Sequence, residues 1–115
     1  MIRGLALLIM MICGPVVAAE SVQIITADDW ARPRSGESLV QMPALKQTVR
    51  EYLSKNAGGG QRILIRHPRG EEGVLWAEEL RGWLVALGIA FDDIAVSPES
   101  TRVDALELAV TDTEN

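Results

Sequence analysis

An arginine and a histidine stand side by side at the end of a predicted strand, in the stretch "ILIRHPRGEEG" from Ile63 to Gly73. Together, Arg66 and His67 could receive a phosphoryl group at the strand tip. His67 is the only histidine and is followed by Pro68, so no second histidine is available to stabilise the charge of a transferred phosphoryl group. The stretch therefore favours the strand-to-loop corner of a binding module over a catalytic site.

Metal sites and nucleophilic sites also lack the residues that they need. With one histidine, a metal ion would have to be held by scattered carboxylates. The serines have no plausible triad, since one histidine would have to serve them all. The glycine-rich segment "AGGGQR" follows a predicted helix, so it lacks the geometry of a phosphate loop. We interpret the acidic pairs Glu71–Glu72 and Asp92–Asp93 as a solvated helix start and a solvated turn. We expect no enzyme activity, no cofactor and no metal.

The first nineteen residues have the three parts of an export signal. Arg3 gives a positive start, an apolar run follows, and Val17 and Ala19 fit the small-residue rule for cleavage. We expect cleavage after Ala19 and a periplasmic domain of residues 20–115. The apolar run is short for a membrane span. An uncleaved anchor and a lipoprotein signal at Cys13 stay open as alternatives.

Charge and cysteine content restrict what an exported domain of this kind can do. The formal net charge is −5, and loss of Arg3 with the signal would make it more negative. An acidic surface repels phosphates, which argues against nucleic acid as a partner. Cleavage would also remove Cys13, the only cysteine, so the domain must be held together by its core.

Hydrophobic periodicity predicts two helices. One runs from Pro43 to about Asn56 and the other from Glu72 to Leu87, followed by Gly88 as a cap. The apolar face of the first contains Met42, Leu45, Val49 and Leu53, with Tyr52 beside them. That of the second contains Trp76, Leu80, Trp83, Leu84 and Leu87. The segment Asp28–Ser38 has no period and is predicted to be a loop, from which Trp30 folds back onto the domain.

Four short β-rich runs surround these helices. They are residues 20–27, 62–67, 91–96 and 105–111, of which 91–96 is a short strand or an extended segment. The second run is apolar on both faces, which predicts a central strand. In the last run Leu106, Leu108 and Val110 point inward and Glu107 outward. The order β-α-β-α-β-β predicts an α/β two-layer sandwich, a small mixed sheet with both helices on one face.

This order and several local patterns resemble the OmpA-like C-terminal domain, a peptidoglycan-associated module. "LVQMPALKQTVREYL" is similar to its first helix and "AEELRGWLVALGI" to its second. "ILIRHPRGEEG" lies where the family has a strand that ends in Gly-His-Thr-Asp, and "IAVSPES" with "DALELAV" is similar to its closing strand pair. The resemblance covers about Val22 to Val110 and implies the same fold.

The residues that grip peptidoglycan in that family are missing here. The family uses an aspartate after the strand and an arginine early in the second helix. Here the aspartate position holds Arg69, or Gly70 with another placement of the gap, and the arginine position holds Trp76. The remaining candidates form what we call the Arg66–Glu72 corner: Arg66, His67 and Arg69 for an anionic group, and Glu71 and Glu72 for a cationic one. A solvated loop with local ion pairs is the alternative.

A narrower resemblance is to small exported proteins of integrative conjugative elements. It is carried by "TADDWARPRSGESLVQMPAL" and "GEEGVLWAEELRGWLVALGI". It implies a periplasmic accessory of a DNA-transfer (type IV secretion) apparatus and supplies no catalytic residue. A protein partner would then contact the Arg66–Glu72 corner or the basic loop with Arg32 and Arg34.

Three hypotheses of function follow from the sequence. The leading one is a non-enzymatic periplasmic interaction module whose partner is another envelope or secretion-apparatus protein. The second is a peptidoglycan-binding module with a rearranged site that uses Arg69, Glu71 or Glu72. The third is an enzyme whose phosphatase activity would depend on His67.

Overall fold

The computed structural model describes residues 21–32, 34–55 and 59–112. The predicted export signal, its cleavage after Ala19 and the alternatives at that end lie outside these residues. In the described part of the chain, no helix is both long enough and apolar enough to cross a membrane. The elements, in chain order, are β1 (Gln23–Thr26), α1 (Ala27–Trp30), α2 (Gly36–Val40), α3 (Pro43–Lys55), β2 (Gln61–Arg66), α4 (Glu71–Ala86), a short 3₁₀ helix (Phe91–Asp93), β3 (Ile94–Ser97) and β4 (Ala105–Asp112).

The four strands form one mixed sheet in the order β1-β4-β2-β3. β4 pairs antiparallel with both β1 and β2, while β2 and β3 pair parallel around the crossover helix α4. β2 is a central strand, which confirms the prediction from its apolar residues on both faces. The predicted α/β sandwich with a small mixed sheet is therefore correct.

The core lies on one face of the sheet, which we call the inner face. The register sets Ile25 beside Leu106 and Ile65 beside Leu108, so the apolar residues of neighbouring strands share that face. Leu80 and Leu84 of α4 pack into the same cluster, as does Leu45 of α3. Each buried large side chain contributes about 1.5–3 kcal/mol relative to exposure. These contacts confirm the prediction of two helices on one side.

The C-terminal end of α4 is closed by a Schellman motif. Gly88 has φ +106, the left-handed region that glycine adopts without strain. The N–H of Ile89 donates to the carbonyl of Leu84 at 3.0 Å, and that of Gly88 to Val85 at 3.0 Å. Ile89 is buried as the hydrophobic contact after the cap, as the sequence predicts.

The prediction of a loop at Asp28–Ser38 is wrong in part, because α1 and α2 occupy much of this segment. The Thr26 hydroxyl accepts a hydrogen bond from the N–H of Asp29 and so caps α1. Ser35 and Ser38 form a reciprocal capping box at the start of α2. Trp30 is buried against the core, which confirms that it folds back onto the domain.

Candidate functional site

His67 lies at the end of β2 and is only 5% exposed. Its backbone N–H donates to the carbonyl of Ser97 at 2.8 Å, and its carbonyl accepts from the N–H of Ser100 at 3.2 Å. The ring Nδ1 lies 2.8 Å from the carbonyl oxygen of Pro68, so this nitrogen donates to the backbone. His67 therefore fixes the loop after β3 to the end of β2, and its ring lies inside the fold.

Arg66 points to the outer face of the sheet, opposite the core. Its Nη1 lies 4.0 Å from Oε1 of Glu107, its cross-strand neighbour on β4. The other carboxylate oxygen accepts hydrogen bonds from the Thr101 hydroxyl at 2.6 Å and from the Thr101 N–H at 3.2 Å. Glu107 lies on the outward face as predicted but is only 5% exposed, because these groups cover it.

The other members of the Arg66–Glu72 corner are exposed to solvent. Arg69 precedes α4, and Glu71 and Glu72 lie in its first turn, where the helix dipole favours negative charge. Gly73 follows them and is buried. The Pro68 carbonyl group lies so close to it that a Cβ added at this position would overlap that group. In the predicted corner, Arg66 and His67 therefore form contacts within the fold. The other three residues are exposed.

Arg34 of the predicted basic loop joins the N-terminal segment to α4. Its Nε and Nη2 donate to the two carboxylate oxygens of Glu79, each at 2.8 Å. The guanidinium lies 4.4 Å from the centre of the Trp30 ring and also donates to the Trp30 carbonyl. Its contacts are internal, whereas Arg32 is exposed.

In the predicted solvated turn at Asp92–Asp93, the carboxylate of Asp93 accepts a hydrogen bond within the fold. The hydroxyl of Tyr52, on α3, donates a hydrogen bond to Asp93. This hydrogen bond, burial and the negative charge of Asp93 raise the pKa of Tyr52 to about 12. Asp92 is exposed.

Among the described residues, no group of three His, Cys, Asp or Glu side chains is placed to hold a metal ion.

A concave surface of the described residues lies in the helical layer, apart from the Arg66–Glu72 corner and the basic loop. We call it the helical groove; its volume is about 570 Å³. It is formed by the end of α2, one side of α3 and the residue after α4. The lining residues are Val40, Leu45, Val49, Leu53 and Leu87, with the polar side chains of Lys46, Arg50 and Ser54.

The helical groove exists because α3 has two apolar sides. Leu45, Thr48 and Tyr52 are buried against the sheet. Val49 is half-buried, and Leu53 is 62% exposed. The predicted face, which included Leu53, is therefore rotated relative to the one that the sheet covers. The remaining apolar side of α3 faces the helical groove.

Two neighbours extend this apolar surface beyond α3. Val40 ends α2 and is 43% exposed, and Leu87 follows α4 and is 38% exposed. The prediction that Leu87 joins the core face of α4 is thus wrong, because the Schellman turn directs Ile89 inward instead. Exposed apolar side chains gathered at one concave surface are typical of a binding site.

The charged residues of the helical groove are both cations. The only acidic residue of α3 is Glu51, and it pairs with Lys55 at 2.8 Å. Lys46 and Arg50 form no ion pair within the described ranges. A chain with net charge −5 therefore carries a local positive charge beside the apolar lining of the helical groove.

Sequence reasoning missed the helical groove, although one signal was present. On α3, Tyr52 and Leu53 lie at opposite edges of the apolar arc, about 100° apart, so burial of one edge can leave the other exposed.

Comparison with protein-family models, curated proteins and solved structures finds no match for the chain. The resemblance to OmpA-like domains and to exported proteins of conjugative elements therefore stays a prediction.

Proposed function

We propose that the chain is a non-enzymatic periplasmic accessory protein that binds another protein, in the envelope or in the DNA-transfer apparatus of an integrative conjugative element. The observation that carries this proposal is the helical groove, where the domain leaves the apolar side chains of Val40, Leu53 and Leu87 exposed. The export pattern at the N-terminus and the resemblance of the chain to small exported proteins support the proposed location.

The contacts of the polar candidates favour binding over catalysis. The ring of His67 is buried and bonded to the backbone, and the carboxylate of Glu107 is held by Thr101 and Arg66. A general base must be able to reach its substrate. These side chains serve the fold, which leaves the exposed apolar surface as the better basis for function.

The test is site-specific photo-crosslinking in conjugating cells. A benzophenone amino acid replaces Leu53 in the helical groove, and a second variant carries it in place of Val103, an apolar loop residue that is more exposed. We expect one discrete adduct from position 53 and none from position 103. We also expect Leu53→Asp to lower the conjugation frequency at unchanged protein level. No adduct from position 53, together with normal transfer, would contradict the proposal.

Peptidoglycan is the second candidate partner. The observation in its favour is that Arg69, Glu71 and Glu72 are all exposed at one corner of the fold, with no ion pair in the described part of the chain. Co-sedimentation of the exported protein with purified sacculi tests it. Pelleting that is lost in an Arg69→Ala/Glu72→Ala variant would support a rearranged site. Retention in the supernatant would leave the protein partner as the function.

A further inference from the structure

We propose that the helical groove binds an amphipathic helix whose apolar face is flanked by acidic residues. This inference rests on the proposed function and specifies the chemistry of the partner. It is carried by three properties of the groove, which are its length, the nature of its walls and its charge.

The length of the helical groove fits the apolar face of a helix. Its lining residues on α3 run from Leu45 to Ser54, which corresponds to about 14 Å along the helix axis. Apolar anchors at positions i, i+3, i+4 and i+7 of a bound helix span about 10 Å. Two turns of a partner helix would therefore cover Val49 and Leu53.

The walls of the groove favour a helix over an extended segment. They are made mostly by side chains of α3, a helix of 13 residues whose interior backbone groups are hydrogen-bonded within the helix. An extended peptide would find few backbone partners there and would leave its own N–H and C=O groups unsatisfied. A helix satisfies these groups internally and offers only side chains.

The charge of the groove selects the polar residues of the partner. Lys46 and Arg50 stand on the same side of α3 as Val49 and Leu53. Glutamate or aspartate beside the apolar anchors of a partner would face these two cations. A second copy of this chain in a symmetric pair would instead set Lys46 and Arg50 against themselves. A flat lipid surface would fit a concave site poorly.

The experiment is selection from a phage-displayed library of helix-forming peptides. The library carries fixed apolar anchors at i, i+3, i+4 and i+7, and its remaining exposed positions are randomised among Glu, Lys, Ser and Gln. The target is the protein isolated in its exported form. We expect enrichment of Glu over Lys beside the anchors. Affinity of the selected peptides should fall about tenfold or more on Leu53→Asp and stay unchanged on Val103→Asp.

The second part of the experiment reverses the charge of the helical groove and tests the role of its two cations directly. A Lys46→Glu/Arg50→Glu variant keeps the apolar lining, and circular dichroism checks that it is folded. We expect this variant to select Lys-rich peptides. Enrichment of the same peptides by both proteins, no enrichment, or binding that ignores Leu53→Asp would overturn the inference.

Two controls test whether the helical groove binds lipid or a second copy of the chain instead of a helix. Flotation with phosphatidylethanolamine–phosphatidylglycerol vesicles that is lost on Leu53→Asp would overturn the inference in favour of lipid. A dimer in sedimentation that is lost on the same substitution would assign the groove to a second copy. A crosslinked cellular partner whose mapped segment is not an acidic helix would overturn the inference while the proposed function stands.

Discussion

The hydroxyl of Tyr52 and the carboxylate of Asp93 are hydrogen-bonded to each other across the junction between α3 and the 3₁₀ helix before β3. The bond connects one helix of the helical layer to the segment that leads into the edge strand β3. It also connects the position of α3 to a group that titrates.

This bond predicts a loss of stability at alkaline pH. The hydrogen bond to Asp93 raises the pKa of Tyr52 from 10.0 to about 12, so the folded state favours the protonated phenol. The contribution is complete below pH 10, the pKa of an unfolded tyrosine, and is lost as the pH rises toward 12. Urea unfolding at a series of pH values should show a larger loss in the natural chain than in Tyr52→Phe, which keeps only the alkaline loss of the exposed Lys55–Glu51 pair, where the hydrogen bond to Glu51 raises the pKa of Lys55.

Tyr52 is the only tyrosine of the chain, so absorbance titration of tyrosinate reports on it alone. A midpoint near that of a free tyrosine would contradict the assignment. At neutral pH we expect Tyr52→Phe to lower the free energy of unfolding by about 1.5 kcal/mol, as for a hydrogen bond to a charged group.

The two glycines within α4 should respond to alanine in opposite directions. At Gly73 the added Cβ would overlap the Pro68 carbonyl group, whereas at Gly82 it would meet open space. We expect Gly73→Ala to lower the free energy of unfolding by about 1–3 kcal/mol through overpacking. We expect Gly82→Ala to raise it by up to about 1 kcal/mol through helix propensity. Chemical denaturation measures both, and stabilisation by Gly73→Ala would contradict the close approach.

A double-mutant cycle should detect coupling between Arg34 and Glu79. The pair is bidentate, with both hydrogen bonds at 2.8 Å, and the arginine also stacks on Trp30. We expect a coupling energy of about 0.5–1 kcal/mol in urea unfolding. The matched control is Arg102 with Asp104, a more exposed pair at 3.8 Å, where the cycle should be additive. Additivity at Arg34 and Glu79 would mean that the pair does not fix the N-terminal segment to α4.

Two leucines on α3 should differ in what they contribute to stability. Leu45 is fully buried, so Leu45→Ala should lower the free energy of unfolding by about 2–5 kcal/mol. Leu53 is mostly exposed, so Leu53→Ala should change it by no more than about 0.5 kcal/mol. Equal losses in chemical denaturation would show that Leu53 belongs to the core and that the helical groove is closed in solution.

Periodicity was sufficient to predict the long elements of this fold. α3 and α4 each repeat apolar residues over several turns, and β2 and β4 carry enough apolar residues to identify their faces. α1 and α2 were missed because helices of 4 and 5 residues contain little more than one period. These two helices are stabilised by the local caps Thr26 and Ser35. They also depend on the burial of Trp30, which only the tertiary structure supplies.

The candidate site was harder to predict than the fold, for a physical reason. Tyr52 and Leu53 are adjacent on α3, and sequence alone does not state which side the sheet covers. The sheet covers Tyr52, whose hydroxyl donates to Asp93, and leaves Leu53 exposed. Likewise, the Arg66–His67 pair suggested chemistry, whereas its backbone and side-chain contacts are those of a corner that the fold itself needs.

The position of β4 has a consequence for the order in which the protein can fold. β4 is the last of the four described strands along the chain, yet it lies between β1 and β2. Thr26 near one end of the described chain pairs with Ala105 near the other, so β1 has no place in the sheet until residues 105–112 arrive. The sheet can therefore be completed only when its last described strand is available, and β1 stays unpaired while β2 and β3 can already pair with each other.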